Sequence, residues 1–597
     1  MAISKTDFIN FTRCKRFVAL ENIRKDKLTS NLTKEEYLKE KTEEKISEII
    51  DNIFDTNDND VTNIENEHLK EMLKYYTEVE LIAASLAKNM FNGNAYYGET
   101  INDQKCFECD INNIKYACFS DIVIENDNEI NLIEVKSTTS KKYLECKYNN
   151  KDMLINNKGI YYFNDDGSKE YKKQLSKFMD RYLLGRYIYD VSFQRYVIEN
   201  NKNYNKKFNY YLAILNHEYV YDGYKENGKR VYRKDENGNN IIIFINVNDI
   251  SKQMLNIIDK DRKKLETYLK NNDISICNVG KYCCLKKTDE CKFKEICFKN
   301  VPKENASFNY MHFINIKDEK GNIFDKYGLI NNGYLKLDDI PISWLKNENK
   351  LIQRTCYDKK SIYYNKDKIE AGINQLKYPI YHLDFETFPC PLPRFYKEKC
   401  YSQSVFEFSV HIEKSPGECD FEKDSYVYVS NTFEDDRENM IKKLIEVIDL
   451  SKGGSFLAQN VAFEKARIKE LSIIFPKYKK DLMKIYNAGT DLLYIIKNNK
   501  QMYLDLGFNM IDANKVNYYN YLQSGSYSIK KTLPLFSDLT YNNLDIKNGT
   551  EAAVEYSKFE RLSQQEIEKS RQKLIIYCKQ DTWAMVQILN GLRKLIK

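Results

Sequence analysis

Hydrophobic and polar residues alternate along the chain with two different periods, which predict where helices and strands form. A helical period runs through residues 34–54 and 71–91. Two strand-like runs follow at 114–125 and 129–140, and the sequence NDN between them predicts a hairpin. Residues 170–275 carry both patterns. The amino-terminal half is therefore predicted to mix helices and strands.

The carboxyl-terminal half repeats this mixture in a different order. Residues 378–383 form an apolar-leaning run that predicts a buried strand, and residues 565–596 predict a long amphipathic helix. The predicted fold class is α/β with α+β elements. We expect a first domain at residues 1–300, a linker or small bridging region at 301–374, and a second domain at 375–597.

Composition limits the class of protein. A length of 597 residues is too great for one hydrophobic core. The balance of 93 basic against 87 acidic residues gives a net charge of only +6, so any nucleic-acid surface must be local. The sequence has neither an apolar run of about 18 residues nor an apolar secretory segment at its start, which predicts a soluble cytoplasmic protein without a membrane partner.

Acidic residues in and beside the buried strand suggest a metal site. Asp384 and Glu386 lie two apart and share one strand face, where burial and mutual repulsion are costly unless a cation compensates. Glu464 and Asp581 are further candidates, and Tyr577 precedes Asp581 by one helical turn. The set predicts a two-metal site for phosphoryl transfer with Mg²⁺ or Mn²⁺, where Tyr577 orients the attacking water.

These residues resemble the exonuclease superfamily named for its Asp-Glu-Asp-Asp motifs, in the branch with tyrosine in the last motif (DEDDy). LDFET, with Asp384 and Glu386, is similar to the first motif, and YCKQD, with Tyr577 and Asp581, to the last. The middle motif departs, because NVAFE offers Glu464 where aspartate is usual. The resemblance implies a ribonuclease-H-like mixed sheet with helices.

A second acidic set lies on the predicted hairpin. Asp121 falls on the first run, while Glu134 and Lys136 share a face of the second, and Glu78 lies on the preceding helix. Carboxylates with a lysine beside them suit a metal-dependent nuclease site, although a plain surface hairpin would also carry such residues. The set resembles the PD-(D/E)XK nucleases, which implies a restriction-endonuclease-like fold.

Cysteines bracket this half of the chain. One thiol before the predicted nuclease core and three after it resemble the iron-sulfur nucleases of the RecB-like group, including the CRISPR-associated and AddB types. The resemblance implies a [4Fe-4S] cluster, with zinc as the alternative. Its implied ligands are Cys14, Cys284, Cys291 and Cys297, and Cys283 is an alternative to Cys284.

Two further features accompany this resemblance. The sequence DVSFQRYVIE, with Asp190 and Gln194, is similar to the glutamine motif of that group, which implies a substrate-binding role for Gln194. The other thiols of this half, Cys106, Cys109, Cys118 and Cys146, are expected to be packing residues. The CFEC spacing at 106–109 also suits a metal pair.

Both halves together, with ILNHEYVYDG and GSYSIKKTLPLF, resemble the family of the domain of unknown function 2779 (DUF2779). We therefore expect a metal-dependent nuclease with two active sites that hydrolyses DNA at single-stranded ends. The alternatives are an RNA 3′-to-5′ exonuclease whose amino-terminal half grips substrate, and a non-catalytic nucleic-acid-binding protein. Because the sequence has no Walker A loop, a helicase or defence-system partner would have to separate strands.

Overall fold

The computed structural model describes residues 2–27, 73–98, 104–204, 206–284 and 290–597, and it is a mixed α/β structure with several sheets. The chain divides into two compact units. The helix predicted for residues 34–54 lies outside the described residues.

The first unit contains the described residues up to Cys297, together with Cys390–Ser402. Its largest sheet has seven strands in the order β1-β2-β3-β6-β7-β5-β4. Strands β3 and β6 pair in parallel, as do β5 and β7, while the other neighbours are antiparallel. The strands are β1 (Asn94–Tyr97), β2 (Ile122–Glu125), β3 (Glu129–Thr139), β4 (Leu154–Asn157), β5 (Ile160–Phe163), β6 (Lys207–Leu215) and β7 (Ile242–Asn246).

The predicted hairpin is confirmed for β2 and β3, which pair antiparallel across residues 126–128. The preceding run is divided, because Ile114–Phe119 joins a separate three-stranded sheet with Ala2–Ile3 and Cys106–Ile111. Smaller ladders of this unit pair Lys147–Tyr148 with Lys151–Asp152 and Lys225–Glu226 with Lys229–Arg230.

Helices cover this sheet on both sides. Helix α1 (Leu73–Met90), predicted from its period, buries Tyr76, Val79 and Ala83 along one face and packs on β3. Helix α2 (Arg186–Glu199) is buried along most of its length. The other helices of this unit are Lys5–Phe11, Lys15–Lys27, Lys141–Leu144, Lys169–Met179, Asn248–Asn271 and Lys294–Cys297.

The second unit contains Phe298–Pro389 and Gln403–Lys597 among its described residues. Its five-stranded sheet has the order β10-β9-β8-β11-β12. Strand β8 pairs antiparallel with β9 and in parallel with β11, so it is central. The strands are β8 (Ile380–Pro389), β9 (Gln403–Glu413), β10 (Ser425–Val429), β11 (Ser455–Ala458) and β12 (Gly489–Asp491).

Strand β8 separates an apolar layer from a polar one. Tyr381, Leu383 and Phe385 point into the hydrophobic core beneath Arg437–Val447 and Lys479–Ala488. The intervening residues face the carboxyl-terminal helix α5 (Gln564–Ile596), because side chains alternate between the two faces of a strand. This alternation places the acidic residues of β8 under α5.

The long carboxyl-terminal helix α5 (Gln564–Ile596) confirms the predicted helix almost to the residue. Helices α3 (Ala462–Ile474) and α4 (Gly549–Ser557) also border the sheet. The other helices of this unit are Lys326–Asn331, Glu348–Lys359, Lys366–Ile373, Arg437–Val447, Lys479–Ala488, Leu492–Ile496, Lys500–Asp505, Met510–Asn514 and Ile529–Thr532.

Residues 298–379 are tied to the second unit by strand pairing and hydrogen bonds. Ile362–Tyr364 pairs antiparallel with Tyr518–Asn520, and Ser524 Oγ accepts a hydrogen bond from Asn305 N at 2.7 Å. Ile316–Lys317 and Ile323–Phe324 form a further small ladder. Across the described residues, no helix combines the length and the apolar character that crossing a membrane requires.

Candidate functional site

The strongest site lies between β8 and α5 in the second unit. Asp384 and Glu386 occupy successive positions on the polar face of β8, and both are partly exposed. On α5, Tyr577 and Asp581 are one turn apart, so their side chains share the helix face above the sheet. Both are buried. Strand β8 therefore positions the two acidic residues of the first predicted motif, and helix α5 positions the tyrosine and the aspartate of the last one.

Three carboxylates converge at this point. One carboxylate oxygen each from Asp384, Glu386 and Asp581 lies within 4.8 Å of the other two. Among the described residues, this is the only group of three or more acidic, histidine or cysteine side chains close enough to share a metal ion. Oxygen ligands of this kind suit a hard divalent cation such as Mg²⁺ or Mn²⁺. The donor set thus fits the predicted cation.

The Tyr577 phenol lies within the field of these carboxylates. Burial, followed by the negative charges of Asp581, Glu386 and Asp384, holds the pKa of Tyr577 well above its usual value. Its hydroxyl therefore keeps its proton and serves as a hydrogen-bond donor at this site.

Helix α4 begins directly against Glu386. A Cβ atom at Gly549, the first residue of α4, would lie 2.9 Å from Glu386 Oε2. Only glycine lets the helix backbone approach the carboxylate this closely. The helix amino terminus also favours the negative charge of Glu386.

Glu464 is buried in the first turn of α3, just beyond the end of β11. It is not a member of the close carboxylate group. Asp491 accepts backbone hydrogen bonds from Asn460 and Val461 at 3.0 and 3.1 Å and from Leu493 at 2.8 Å. Asp491 therefore fixes the turn that precedes Glu464.

Sequence interpretation missed Glu407, which lies on β9 directly opposite Glu386. Its side chain is fully buried, and neither carboxylate oxygen has a hydrogen-bond partner among the described residues. Burial raises the pKa of Glu407 to about 8, an effect that the Cys578 thiol reduces and the charge of Asp581 increases. No spacing rule identifies Glu407, because its position depends on the pairing register of β8 with β9.

Beyond Glu407, the polar residues of β9 are well paired. Ser409 Oγ donates to the Cys578 carbonyl at 2.8 Å, and His411 Nδ1 lies 2.8 Å from Thr582 Oγ1. Glu413 accepts from Arg593 at 2.5 Å and lies 3.1 Å from His382 Nε2.

The amino-terminal set gathers around Glu134 on β3. Gln194 Nε2 on α2 donates to Glu134 Oε2 at 2.5 Å, and Lys136 Nζ lies 3.1 Å from Glu134 Oε1. Asp190 is 3.8 Å from Lys136 Nζ. The structure thus brings together Glu134, Lys136 and both residues of the glutamine motif, all of them buried.

The other predicted residues of this set are less closely gathered. Asp121 lies immediately before β2, and its Oδ2 accepts from Val135 N at 2.9 Å. Glu78 is half-buried on α1. Within the described part of the chain, Glu78, Asp121 and Glu134 do not form a close group of three carboxylates. Lys5, which the motifs do not include, donates to Glu134 Oε1 at 2.7 Å.

Sequence interpretation also missed a sixth thiol at the cysteine site, Cys277. The Cys14 thiol donates to Cys277 and lowers the pKa of Cys277 to about 6, with Arg16 nearby also favouring the thiolate. Arg16 Nη1 donates to Cys297 Sγ at 3.4 Å. Cys277 is not at a recognised motif spacing from Cys284, so only the fold reveals its contact with Cys14.

The remaining thiols of this segment differ in their surroundings. Cys283 is buried and interacts electrostatically with Cys291 and Cys297, whereas Cys284 Sγ lies 3.8 Å from Glu290 Oε1. No three thiols among the described residues are close enough to share one ion.

The CFEC cysteines do not form a metal pair on one face. They lie three residues apart on the strand Cys106–Ile111, so their side chains point to opposite faces. Cys109 and Cys118 belong to the hydrophobic core, and Cys146 packs against its edge.

Comparison with known proteins gives one family match. The model of the family described as domain of unknown function (DUF2779) matches residues 381–528. The matched segment contains Asp384, Glu386, Glu407 and Glu464, and it ends before Asp581. A search of the curated proteins finds no match to the chain. The family description carries no activity, so the function must be argued from the site itself.

Proposed function

We propose that this chain is a metal-dependent nuclease that hydrolyses DNA phosphodiester bonds at single-stranded ends. The close group of Asp384, Glu386 and Asp581, with Tyr577 beside it, carries the proposal. Two of these carboxylates lie on strand β8, and the third lies on helix α5 together with the Tyr577 phenol. The similarity of LDFET and YCKQD to the DEDDy exonuclease motifs supports the proposal, as does the mixed sheet that bears LDFET.

In this proposal the residues of the site either bind the cation or orient the attacking water. Asp384, Glu386 and Asp581 hold Mg²⁺ or Mn²⁺, which when bound activates water and offsets the charge of the phosphate and leaving oxygens. Tyr577 donates a hydrogen bond that orients the attacking water. Glu464, outside the close group, stays a predicted fourth ligand.

The surroundings favour a single strand as substrate. The acidic group lies between β8 and α5, and Asp384 and Glu386 are only partly exposed. A flexible strand end can reach partly buried carboxylates more readily than a duplex can. Since the sequence has no ATP-binding loop, we assign strand separation to a helicase-type partner.

We further propose that the first unit holds a second nuclease site. Glu134 and Lys136 are the central pair, Gln194 orients Glu134, and Asp121 and Glu78 are the additional ligands that the PD-(D/E)XK resemblance implies. The geometry around Glu134 supports the role of Lys136 and Gln194. Cation binding here requires the Lys5 ammonium to leave Glu134 Oε1.

For the cysteine site we propose a [4Fe-4S] cluster bound by four of the thiols Cys14, Cys277, Cys283, Cys291 and Cys297. The Arg16 guanidinium beside Cys297 and Cys277 supports thiolate ligands there. Iron content per chain after anaerobic purification tests the assignment. Cys277→Ala should lose iron, and Cys284→Ala should keep it; the opposite result would restore Cys284 as the ligand.

Cleavage assays test the nuclease proposal and separate DNA from RNA. End-labelled single-stranded and duplex substrates of both kinds are incubated with Mn²⁺ or with chelator. We expect metal-dependent DNA cleavage by the wild type, with Asp384→Ala and Lys136→Ala each removing a distinct set of products. If Asp384→Ala abolished cleavage of RNA only, the RNA exonuclease alternative would replace this proposal. If the wild type bound DNA without any metal-dependent cleavage, the non-catalytic alternative would stand.

A further inference from the structure

Glu407 is a buried acid that the proposed mechanism does not use. Its side chain has 0% exposure, and neither oxygen has a hydrogen-bond partner among the described residues. A buried carboxylate in this state is costly unless a positive charge or a donor reaches it. Among the described residues the Cys578 thiol, a weak donor, offsets only part of this cost.

The sheet register places Glu407 beside the carboxylate group. Glu407 and Glu386 are directly opposite in the antiparallel pair of β9 with β8, so their side chains lie on the same face. Opposite residues in such a pair have Cβ atoms about 4.5–5.5 Å apart. The Ser409 hydroxyl, next on this face of β9, donates to the Cys578 carbonyl of α5 at 2.8 Å. Glu407 is thus enclosed between the sheet and the helix that carries Asp581.

A second buried glutamate on the same strand shows how this fold compensates such a group. Glu413 is also 0% exposed and also lies on the face beneath α5. Its carboxylate is held by Arg593 at 2.5 Å, by His382 at 3.1 Å and by the Gly417 N–H at 2.7 Å. The contrast is local, because Glu413 of β9 has three strong protein partners, whereas Glu407, opposite Glu386, has only the weak donor of the Cys578 thiol beside it among the described residues.

We propose that Glu407 is part of the cation site, where it supplies negative charge to a divalent ion held by Asp384, Glu386 and Asp581. This inference rests on the divalent-cation part of the proposed function. It assigns no new reaction step to Glu407. The four carboxylates would raise the negative charge of the site and favour Mg²⁺ or Mn²⁺ over a monovalent ion.

Calorimetric titration of the metal-stripped full-length chain with MnCl₂ tests this role without any activity assay. The variant Glu407→Gln keeps the size of the side chain and removes its charge. We expect it to weaken Mn²⁺ binding by about tenfold or more. Glu407→Met gives the same comparison with a nonpolar side chain.

Glu413→Gln is the matched control. It removes the charge of an equally buried glutamate of the same strand. Because this glutamate is paired with Arg593 and His382, the variant should have a lower unfolding temperature, and its Mn²⁺ affinity should stay unchanged. Unchanged Mn²⁺ affinity in Glu407→Gln, with affinity lost in Asp384→Asn, would overturn the role of Glu407 alone. A wild-type chain that binds no Mn²⁺ would overturn both this inference and the proposed function.

Discussion

The Tyr577 hydroxyl is buried beside three carboxylates, and this setting decides its chemistry. Burial and the charges of Asp581, Glu386 and Asp384 all oppose ionisation of the phenol, so its pKa lies well above the usual value. In the metal-free protein Tyr577 therefore keeps its proton and can donate a hydrogen bond.

Tyr577→Phe tests this role. Removal of the hydroxyl should lower the rate of Mn²⁺-dependent DNA cleavage by about a hundredfold, because the attacking water loses its orienting donor. The Mn²⁺ affinity measured by calorimetry should stay close to the wild-type value, since no carboxylate is lost. If affinity and rate fell together, Tyr577 would be needed for cation binding and not for water orientation.

His411 gives a prediction about pH and stability. Burial lowers the pKa of His411 from 6.5 to about 4, and the Phe421 carbonyl only partly opposes that shift. Between these values the unfolded chain takes up a proton that the folded chain excludes, so the free energy of unfolding falls as pH decreases from 6.5 to 4. Above pH 6.5 this contribution is fully present.

Chemical denaturation of the wild type and His411→Gln at several pH values measures the effect. The variant cannot take up this proton, so its stability should decline less steeply across this window, and the difference between the two proteins should change with pH. A difference that stayed constant from pH 6.5 to 4 would contradict the inferred neutral state of His411.

Some site residues could be predicted from sequence because their geometry is local. The two-residue spacing of Asp384 and Glu386 fixes a strand face, and the four-residue spacing of Tyr577 and Asp581 fixes a helix face. Glu407 could not be found in this way. Its relation to Glu386 depends on strand register, which spacing along the chain does not encode.

At the scale of elements, the contact between α4 and β8 shapes the metal site. The first residue of α4, Gly549, leaves space for the Glu386 carboxylate that no other residue would leave. A larger residue at position 549 would press against the flexible Glu386 side chain. A substitution of Gly549 should therefore move the Glu386 carboxylate more than it disturbs the fold.

Gly549→Ala tests that contact. A Cβ atom 2.9 Å from Glu386 Oε2 should displace the carboxylate and weaken Mn²⁺ affinity by about tenfold, with little change in unfolding temperature. Gly328→Ala, in the helix Lys326–Asn331, is the control because the atoms nearest its new Cβ would be Asp325 Oδ1 at 3.3 Å and the Phe324 side chain at 3.6 Å, and neither residue belongs to the metal site. Wild-type Mn²⁺ affinity in Gly549→Ala would show that the approach of α4 does not position Glu386.

Long periodic elements were predicted well, and short interruptions were not. Helix α5 begins at Gln564, one residue before its predicted start, because its amphipathic pattern is continuous. The run at 114–125 was predicted as one strand-like run. In the structure Ser120 and Asp121 divide it between two sheets, and such a division follows from tertiary pairing that a period-two pattern does not contain.

At the scale of the whole molecule, the chain forms two units that each have their own sheet and core. The sequence predicts two halves that each contain a sheet. The sequence does not predict that residues 298–374 belong to the second unit, because this membership depends on bonds such as Asn305 with Ser524, 219 positions apart. Cys277 and Lys5 were missed for the same reason, since each meets its partner only through the fold.

The central claim is that the carboxylates between β8 and α5 hold the cation used for DNA hydrolysis. The most direct measurement is the initial rate of Mn²⁺-dependent degradation of end-labelled single-stranded DNA by the wild type, Asp384→Asn and Asp581→Asn, with the exposed Asp545→Asn as control. We predict a loss of about a hundredfold or more in the two site variants, a normal rate in the control, and no degradation with chelator. Degradation at the wild-type rate by Asp384→Asn and Asp581→Asn would contradict the account.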